Sequence, residues 1–566
     1  MPDERSRSVL VVGAGVSGLH SALQLADMGV KVYLVERRPS MGGRVGRLGR
    51  LGTDPEGMAA SCEIAPLIDR VHRHPNVTFI ANAELTGLEG EKGAFTARVR
   101  RHPLRVTEEC DRCGMCVQVC PIKIYHEQNE GIGLRTAIDL ENPRSPGGSY
   151  NIETEIPICQ RTCPVHIDIR RYVGLVASGK FEEALRTVRE RNPFPAVCGR
   201  VCHHPCEAAC NRGAEDEPIA IDALKRFAAD YELGLRRQGK LLPPKPPPRR
   251  SSARAAIVGA GPAGLTVAHD LALMGYGSTV FERAPVAGGM LYLGIPEYRL
   301  PRDIIEAEVD YIRALGVQIK LNAEVGTDPS VDDLLAGGYG AVFLGVGAHK
   351  GLRLGIPGEE EYEGLLDCVE FLRRVNLGDR TKLADRVIVV GGGNSAIDSA
   401  RTALRLGCEE VTILYRRSRR EMPANPWEIE EAEHEGIAIH YLAAPVRILG
   451  EEGRVVGMLA TRMELGRPDA SGRRRPIPIE GSEFEVPCDL IIPAISQQPD
   501  LDFLPEGHGI ELSRWSSFVV DEETGETNRP GIFAGGDAVT GPATVIEAIA
   551  AGHRAATAMA AYLEEG

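Results

Sequence analysis

The feature that most constrains this chain is a glycine phrase written twice. Residues 12–19 read VGAGVSGL and residues 258–265 read VGAGPAGL. Each follows an apolar run and opens an amphipathic stretch, which predicts a strand, a tight turn, a helix and a second strand. Gly13 and Gly259 allow the turn, Gly15 and Gly261 let backbone approach a pyrophosphate, and Gly18 and Gly264 let helix pack on strand. The helix N-terminus there offers free N–H groups and the positive end of its dipole to phosphate. Glu36 and Glu282, about 20 residues on, stand where a carboxylate accepts hydrogen bonds from a ribose. Both copies then place a glycine pair at one offset, Gly42-Gly43 and Gly288-Gly289. The chain repeats a whole dinucleotide-binding βαβ unit.

A third fingerprint differs in its ending. DRVIVVGGGNSAID, from residue 385, puts Gly391, Gly393 and Ala396 on the turn, with Asn394 and Ser395 opening the helix. Its second strand ends in Arg416 and Arg417 instead of an acid. A carboxylate there would repel a 2′-phosphate, whereas guanidinium groups can bind one bidentately, so NADPH is favoured over NADH. An arginine pair can also be a solvated face.

The cysteines point to a second kind of cofactor. Ten of the 14 fall between Cys110 and Cys210. CDRCGMCVQVCP sets Cys110, Cys113, Cys116 and Cys120 at the C-x2-C-x2-C-x3-C-P spacing of a bacterial ferredoxin loop, which holds a [4Fe–4S] cluster. Zinc knuckles would need pairs about 12–20 residues apart. Cys159 and Cys163 follow, then Cys198, Cys202, Cys206 and Cys210 at every fourth residue, along one helix face or a loop-and-turn path. Ten ligands suffice for two complete clusters.

Bulk properties narrow the setting. A chain of 566 residues needs several cores. A net charge of −14 offers no large basic field, which excludes nucleic acid or an anionic membrane as the main partner. No stretch approaches the roughly 20 apolar residues of a membrane span, and the N-terminus lacks a signal peptide, so a cytoplasmic location is expected.

From about residue 156 onward the chain resembles the glutamate synthase small subunit and the flavin-reducing half of dihydropyrimidine dehydrogenase. The likeness rests on NPFPAVCGRVCHHPCEAAC, GAGPAGL, AGGMLYLGIPEYRLP, GGGNSAID, YRRSRREMPA and GDAVTGPATVIEAIAAG. It implies an FAD fold split by an inserted NADPH domain. It also implies that Asp537 contacts the ribityl–pyrophosphate region, that the backbone near Val545 meets the flavin ring, and that Gly289 and Leu291 lie on the FAD side. Those families carry two more cysteines where this chain has Asn151 and Thr154. The first 150 or so residues resemble the A subunit of heterodisulfide reductase, in which a ferredoxin-like insertion interrupts an FAD half-domain. Here the first FAD fold is never resumed, because the sequence holds one GGD, at Gly535-Gly536-Asp537. The half-site of Gly13, Gly15, Gly18, Glu36 and Gly43 either holds a second FAD, its open side covered by the rest of the chain or another subunit, or serves as a platform for the cluster loop.

The expected fold is α/β, with Rossmann-like FAD and NAD(P)H domains preceded by a half FAD-type module, a ferredoxin-like segment and a helical iron–sulfur domain. The expected boundaries are 1–108 for the half module, 109–155 for the ferredoxin-like segment and 156–233 for the helical domain. A proline-rich linker at 234–253 precedes an FAD domain at 254–380 and 490–566, with the NAD(P)H domain at 381–489. The linker is read as a semi-rigid polyproline spacer or a surface loop. The flavin and NADPH modules contain no C-x-x-C or C-x4-C pair. The expected function is therefore hydride transfer from NAD(P)H to FAD, then single-electron transfer through [4Fe–4S] clusters to another oxidoreductase or electron-carrier subunit. Flavin-based bifurcation is among the settings this allows. The alternatives are a glutamate synthase small-subunit-like reductase and a non-catalytic electron-wiring scaffold.

Overall fold

Apolar runs separated by glycine turns and helices build parallel sheets, because each crossover returns the next strand in the same direction. The computed structural model describes residues 8–47, 60–91, 93–102, 115–120, 122–125, 134–140, 150–152, 156–326, 328–469 and 472–565. Cys110 and Cys113 lie outside these. The short turn Ala177–Gly179 aside, the chain divides at Pro157/Ile158 into two units.

The first unit is built on a parallel sheet of β1 (Ser8–Val12), β2 (Lys31–Val35) and β3 (Val77–Ile80), with β2 central. Helix Val16–Asp27 crosses from β1 to β2 and buries Leu19, Ala22, Leu23 and Ala26 at the helical spacing of one face. Helix Ala60–Arg73 adds Ile64, Ile68 and Val71 to the same small core. An antiparallel hairpin, Ala83–Glu89 with Thr96–Arg101, follows.

The second unit opens with the cysteine-bearing helices. Tyr172, almost fully buried on helix Ile169–Ala177 beside them, donates its hydroxyl to the Ile221 carbonyl (2.8 Å) and ties that helix to the long helix Ile221–Arg237. The proline-rich stretch that follows lies against the sheet beyond it, with Arg250 N–H donating to the Gly275 carbonyl (2.9 Å). That sheet begins with β4 (Arg254–Val258), β5 (Gly277–Phe281), β6 (Gln318–Lys320) and β7 (Ala341–Leu344). The chain then leaves it to form a second parallel sheet of β8 (Arg386–Val390), β9 (Glu410–Tyr415), β10 (Ala438–Tyr441) and β11 (Leu490–Pro493), in the order β10-β9-β8-β11. It returns with β12 (Ile532–Ala534), completing the first sheet in the order β6-β5-β4-β7-β12. Strands β4, β7, β8 and β11 are largely apolar and buried on both faces, whereas the edge strands β6 and β10 carry exposed residues.

The crossings between the two sheets lie outside the boundaries expected from sequence. Lys350–Gly351 pairs antiparallel with Gln497–Gln498, and the inserted lobe hangs from that pair. Helix Cys368–Asn376, expected in the FAD domain, buries Cys368, Val369, Phe371 and Leu372 in the inserted lobe's core. β11, expected at the start of the returning FAD segment, pairs with β8. The fingerprint marks where a βαβ unit starts, but the edge strand and covering helix of the lobe carry no motif. Among the described residues no helix is long and apolar enough to cross a membrane.

Candidate functional site

β4 ends at Val258, and the chain must turn at once to begin helix Pro262–Leu273. Gly259 makes the turn at φ +101°, and a Cβ there would stand 2.4 Å from the Gly345 carbonyl oxygen. At Gly264 a Cβ would meet the Gly259 oxygen at 2.1 Å, so glycine is needed for helix to lie on strand. Gly261, the helix N-cap, is different. A Cβ there would meet nothing nearer than the Gly289 Cα, at 3.9 Å. The space before the helix N-terminus is a cradle fitted to a pyrophosphate. Glu282 closes it: Oε2 accepts from Ala260 N–H (2.7 Å) and Oε1 from Ala284 N–H (2.8 Å). Burial raises the pKa of this carboxyl.

One cavity of about 1210 Å³ runs from this crevice to the inserted lobe. Gly259, Gly261, Glu282, Gly289, Leu291, Asp537 and Val545 line its first end, and Gly391, Gly393, Asn394, Ser395, Arg416 and Arg417 its second. It exceeds the roughly 300–1,000 Å³ of a single-ligand cleft, as two nucleotides meeting end to end require. At the second end Gly393 again caps a helix, and a Cβ placed on it would meet nothing within 4 Å. Asn394 Oδ1 accepts from Asn425 N–H (3.0 Å) and holds the loop after β9 against the turn. The two arginines part company here. Arg416 is exposed at the cavity rim. Arg417 is buried, its Nη2 on Asp469 (2.7 Å) and its Nε on the Arg474 carbonyl (2.8 Å).

Burial pushes the Asp537 carboxyl up to about 7, with the Ala543 N–H opposing and Glu547 adding to the rise. A folded pKa above the unfolded value of 3.8 means that stability falls as pH climbs from about 4 to about 7. Flavin-free protein should therefore show a Tm that declines across that window. Asp537→Asn should flatten part of the decline in a thermal-melt series, and an unchanged slope would refute this reading.

Three cavity residues escaped the sequence reading. Arg299, from the loop after the Gly288-Gly289 pair, donates through Nη1 to Asp398 Oδ2 (2.6 Å) on the helix of the third fingerprint. Its Nε also stands 2.8 Å from Glu428 Oε1. This buried ion pair couples the loop after the second fingerprint to the helix of the third. Burial raises Asp398 to about 7 even with Arg299 opposing. His349 is held down to about 4, by burial first and then by Arg283 and Arg373, so it faces the cavity as a neutral imidazole. Arg299 and Asp398 lie within IPEYRLP and GGGNSAID, but only the fold brings them together.

The last four cysteines follow the loop-and-turn path. Helix Pro195–Val201 carries Cys198 and stops; Cys202 is extended, His204 takes φ +57°, and Pro205–Ala208 restarts a short helix with Cys206. Helix Ile158–Thr162, which carries Cys159, packs against that short helix. Burial drives the Cys198 and Cys206 thiols up to about 12. Thiolates there need a metal's charge, and a cluster supplies it. Cys198 Sγ donates to Asn192 Oδ1 (3.7 Å), while Asn192 Nδ2 is buried without a partner. Among the described residues no three of His, Cys, Asp and Glu close on one point, the arrangement a single metal ion would need. Cys116 is half-buried on helix Met115–Val119 and Cys120 is buried.

The N-terminal half-site copies the crevice at Gly259 bond for bond. Glu36 Oε2 accepts from Ala14 N–H (2.6 Å) and Oε1 from Arg38 N–H (3.0 Å), as Glu282 does from Ala260 and Ala284. Gly42 N–H donates to Ala14 as Gly288 does to Ala260, both at 2.8 Å. A Cβ on Gly43 would meet Gly15 Cα at 2.9 Å, and one on Gly289 would meet Gly261 Cα at 2.8 Å. Gly15 itself, like Gly261, leaves its cradle open, while a Cβ on Gly18 would clash with the Gly13 oxygen at 1.8 Å.

Three family models match the chain in succession. FAD dependent oxidoreductase matches residues 8–62, the 4Fe-4S domain II of dihydropyrimidine dehydrogenase matches 152–236, and pyridine nucleotide-disulphide oxidoreductase matches 253–552. The NADP(+)-dependent formate dehydrogenase subunit beta of Moorella thermoacetica is 48% identical over 427 residues, 72% of this chain and 60% of that protein. The NADPH-Fe(3+) oxidoreductase subunit beta of Geobacter sulfurreducens (strain ATCC 51573 / DSM 12127 / PCA) is 44% identical over 433 residues, 72% of this chain and 64% of its own length. The chain thus spans less than two thirds of either relative. The glutamate synthase [NADPH] small chain of Escherichia coli is 35% identical over 428 residues, 72% of this chain and 89% of that protein. The cradles before the two helices and the buried thiols have the chemistry these families use for FAD, NADP and iron–sulfur clusters, and the chain belongs to the pyridine nucleotide-disulphide oxidoreductases, joined to a 4Fe-4S domain of the dihydropyrimidine dehydrogenase type.

Proposed function

We propose that this chain draws electrons from NADPH and delivers them, by way of FAD and [4Fe–4S] clusters, to a partner oxidoreductase subunit. One observation carries the reading: Val201 and His203, the neighbours of Cys202, line the same cavity as Gly261, Asp537 and Gly393. The cysteine segment therefore borders the space where the two nucleotides meet. The cavity's lining residues include no cysteine, so no thiol pair stands there to receive electrons. When bound, FAD accepts a hydride and the clusters carry single electrons.

The chain's own residues bind, orient and insulate. Gly259, Gly261, Gly264, Glu282, Gly289, Leu291, Asp537 and Val545 hold FAD; Gly391, Gly393, Asn394, Ser395 and Arg416 hold NADPH. Cys159, Cys163, Cys198, Cys202, Cys206 and Cys210 hold cluster iron. Cys110, Cys113, Cys116 and Cys120, at the ferredoxin-type spacing, are a ligand set of their own. Two of the relatives are beta subunits by name, which supports a companion subunit as the acceptor.

Anaerobically purified protein should reduce a viologen dye with NADPH, and NADPH binding without turnover would make it a wiring scaffold. It should also carry about eight iron atoms, or up to about twelve, as [4Fe–4S] centres. Stoichiometric zinc with little iron would overturn the assignment of the thiols.

A further inference from the structure

The two glycine crevices match, but their sheets do not. A constant offset of 246 residues carries β1 onto β4, helix Val16–Asp27 onto Pro262–Leu273 and β2 onto β5. β3 corresponds to β6, since Glu36 N–H donates to Ile80 O and Glu282 N–H to Lys320 O. β4, however, is flanked on its other side by β7 and then β12. Among the described residues nothing pairs with the matching edge of β1.

The exposed edge has the character of an interface. Val258 is 6% exposed under its neighbours, whereas its counterpart Val12 is 57% exposed; Ala255 is 0% and Val9 36%. A Cβ on Gly259 would strike the Gly345 oxygen just beyond β7, whereas one on Gly13 meets nothing within 4 Å. β1 reads SVLVV, with no charge, proline or bulge to discourage pairing, although edge strands normally carry such protection. The cradle at Gly15 and the carboxylate of Glu36 are built, and what is missing among the described residues is one contiguous part of the fold.

We propose that the N-terminal module is one half of a split FAD site, and that a different polypeptide completes it by adding two parallel strands along β1. The chemistry of that partner follows from the copy that is whole. Its first strand lies against β1 and ends in a glycine, as β7 does at Gly345. Its second strand runs into Gly-Asp, as β12 runs into Gly536-Asp537. A second copy of this chain cannot serve, because its one GGD and both strands are engaged in its own sheet. The proposal is independent of NADPH oxidation at the complete site.

The test places a photo-cross-linking amino acid at Val12 in the full chain, expressed in the native host. Cross-linked peptides are then sequenced, and flavin is counted in the chain alone and in the complex. The expected product joins Val12 to another protein at a strand leading to Gly-Asp. About one flavin per chain is expected when the chain is alone and about two in the complex. Val9→Lys should return the complex to about one flavin and leave NADPH-dependent dye reduction by the isolated chain unchanged. A cross-link within this chain or to a second copy, no cross-link, a partner peptide lacking Gly-Asp, or two flavins on the isolated chain would each overturn the proposal.

Discussion

Gly261→Val should yield a chain that folds and binds NADPH but carries no FAD and reduces no dye. A side chain at this N-cap projects into open cavity, with only the Gly289 Cα at 3.9 Å from its Cβ. The backbone there is extended (φ −81°, ψ 180°), which valine adopts without strain. The added methyls would instead occupy the place of the pyrophosphate, where backbone approach is the whole basis of binding. Flavin should fall from about one per chain at the complete site to near zero, with NADPH oxidation falling with it. Gly264→Val provides the contrast. Its Cβ would stand 2.1 Å from the Gly259 carbonyl oxygen, so helix and strand must separate and the protein should be lost to aggregation. Flavin fluorescence, circular dichroism and dye reduction together distinguish the outcomes. A Gly261→Val protein that keeps its FAD would show that the cradle is not the pyrophosphate site.

The second large effect separates two adjacent arginines. Arg416→Ala should weaken NADPH by about 1.5–3 kcal/mol, roughly tenfold or more in Kd, and leave NADH unchanged, because only NADPH has a 2′-phosphate. Arg417→Ala should act differently. It removes an ion-pair partner of Asp469 and a donor to the Arg474 carbonyl at a buried position. The expected result is a lobe destabilised by about 1.5–3 kcal/mol, with both coenzymes affected alike. Titrating each variant with NADPH and NADH, beside a thermal melt, reads both effects. If Arg417→Ala alone switched the coenzyme preference, the buried arginine would be the phosphate reader.

The glycine phrases, Glu36 and Glu282 were legible in the chain because each is a local demand. A turn at φ +101° or a backbone cradle constrains residues a few positions apart, and such constraints leave a pattern. The lobe boundary was not legible. Helix Cys368–Asn376 and strand Leu490–Pro493 join the inserted core through apolar contacts that many sequences could make. The path of Cys198 to Cys210 was open for a related reason, as a period of four fits a helix until His204 takes φ +57° and breaks it.

By itself, then, the sequence determined that this protein has three dinucleotide-type turns and a set of thiols suited to clusters, since those depend on residues close along the chain. Only the tertiary structure decided which of them share a cavity, that Arg299 pairs with Asp398 across 99 residues, and that Arg417 is spent on Asp469. It alone decided that β1 ends in an edge unpaired among the described residues where its twin β4 is covered. Long-range pairing is set by the summed burial and hydrogen bonding of whole elements, and no short stretch of sequence records that sum.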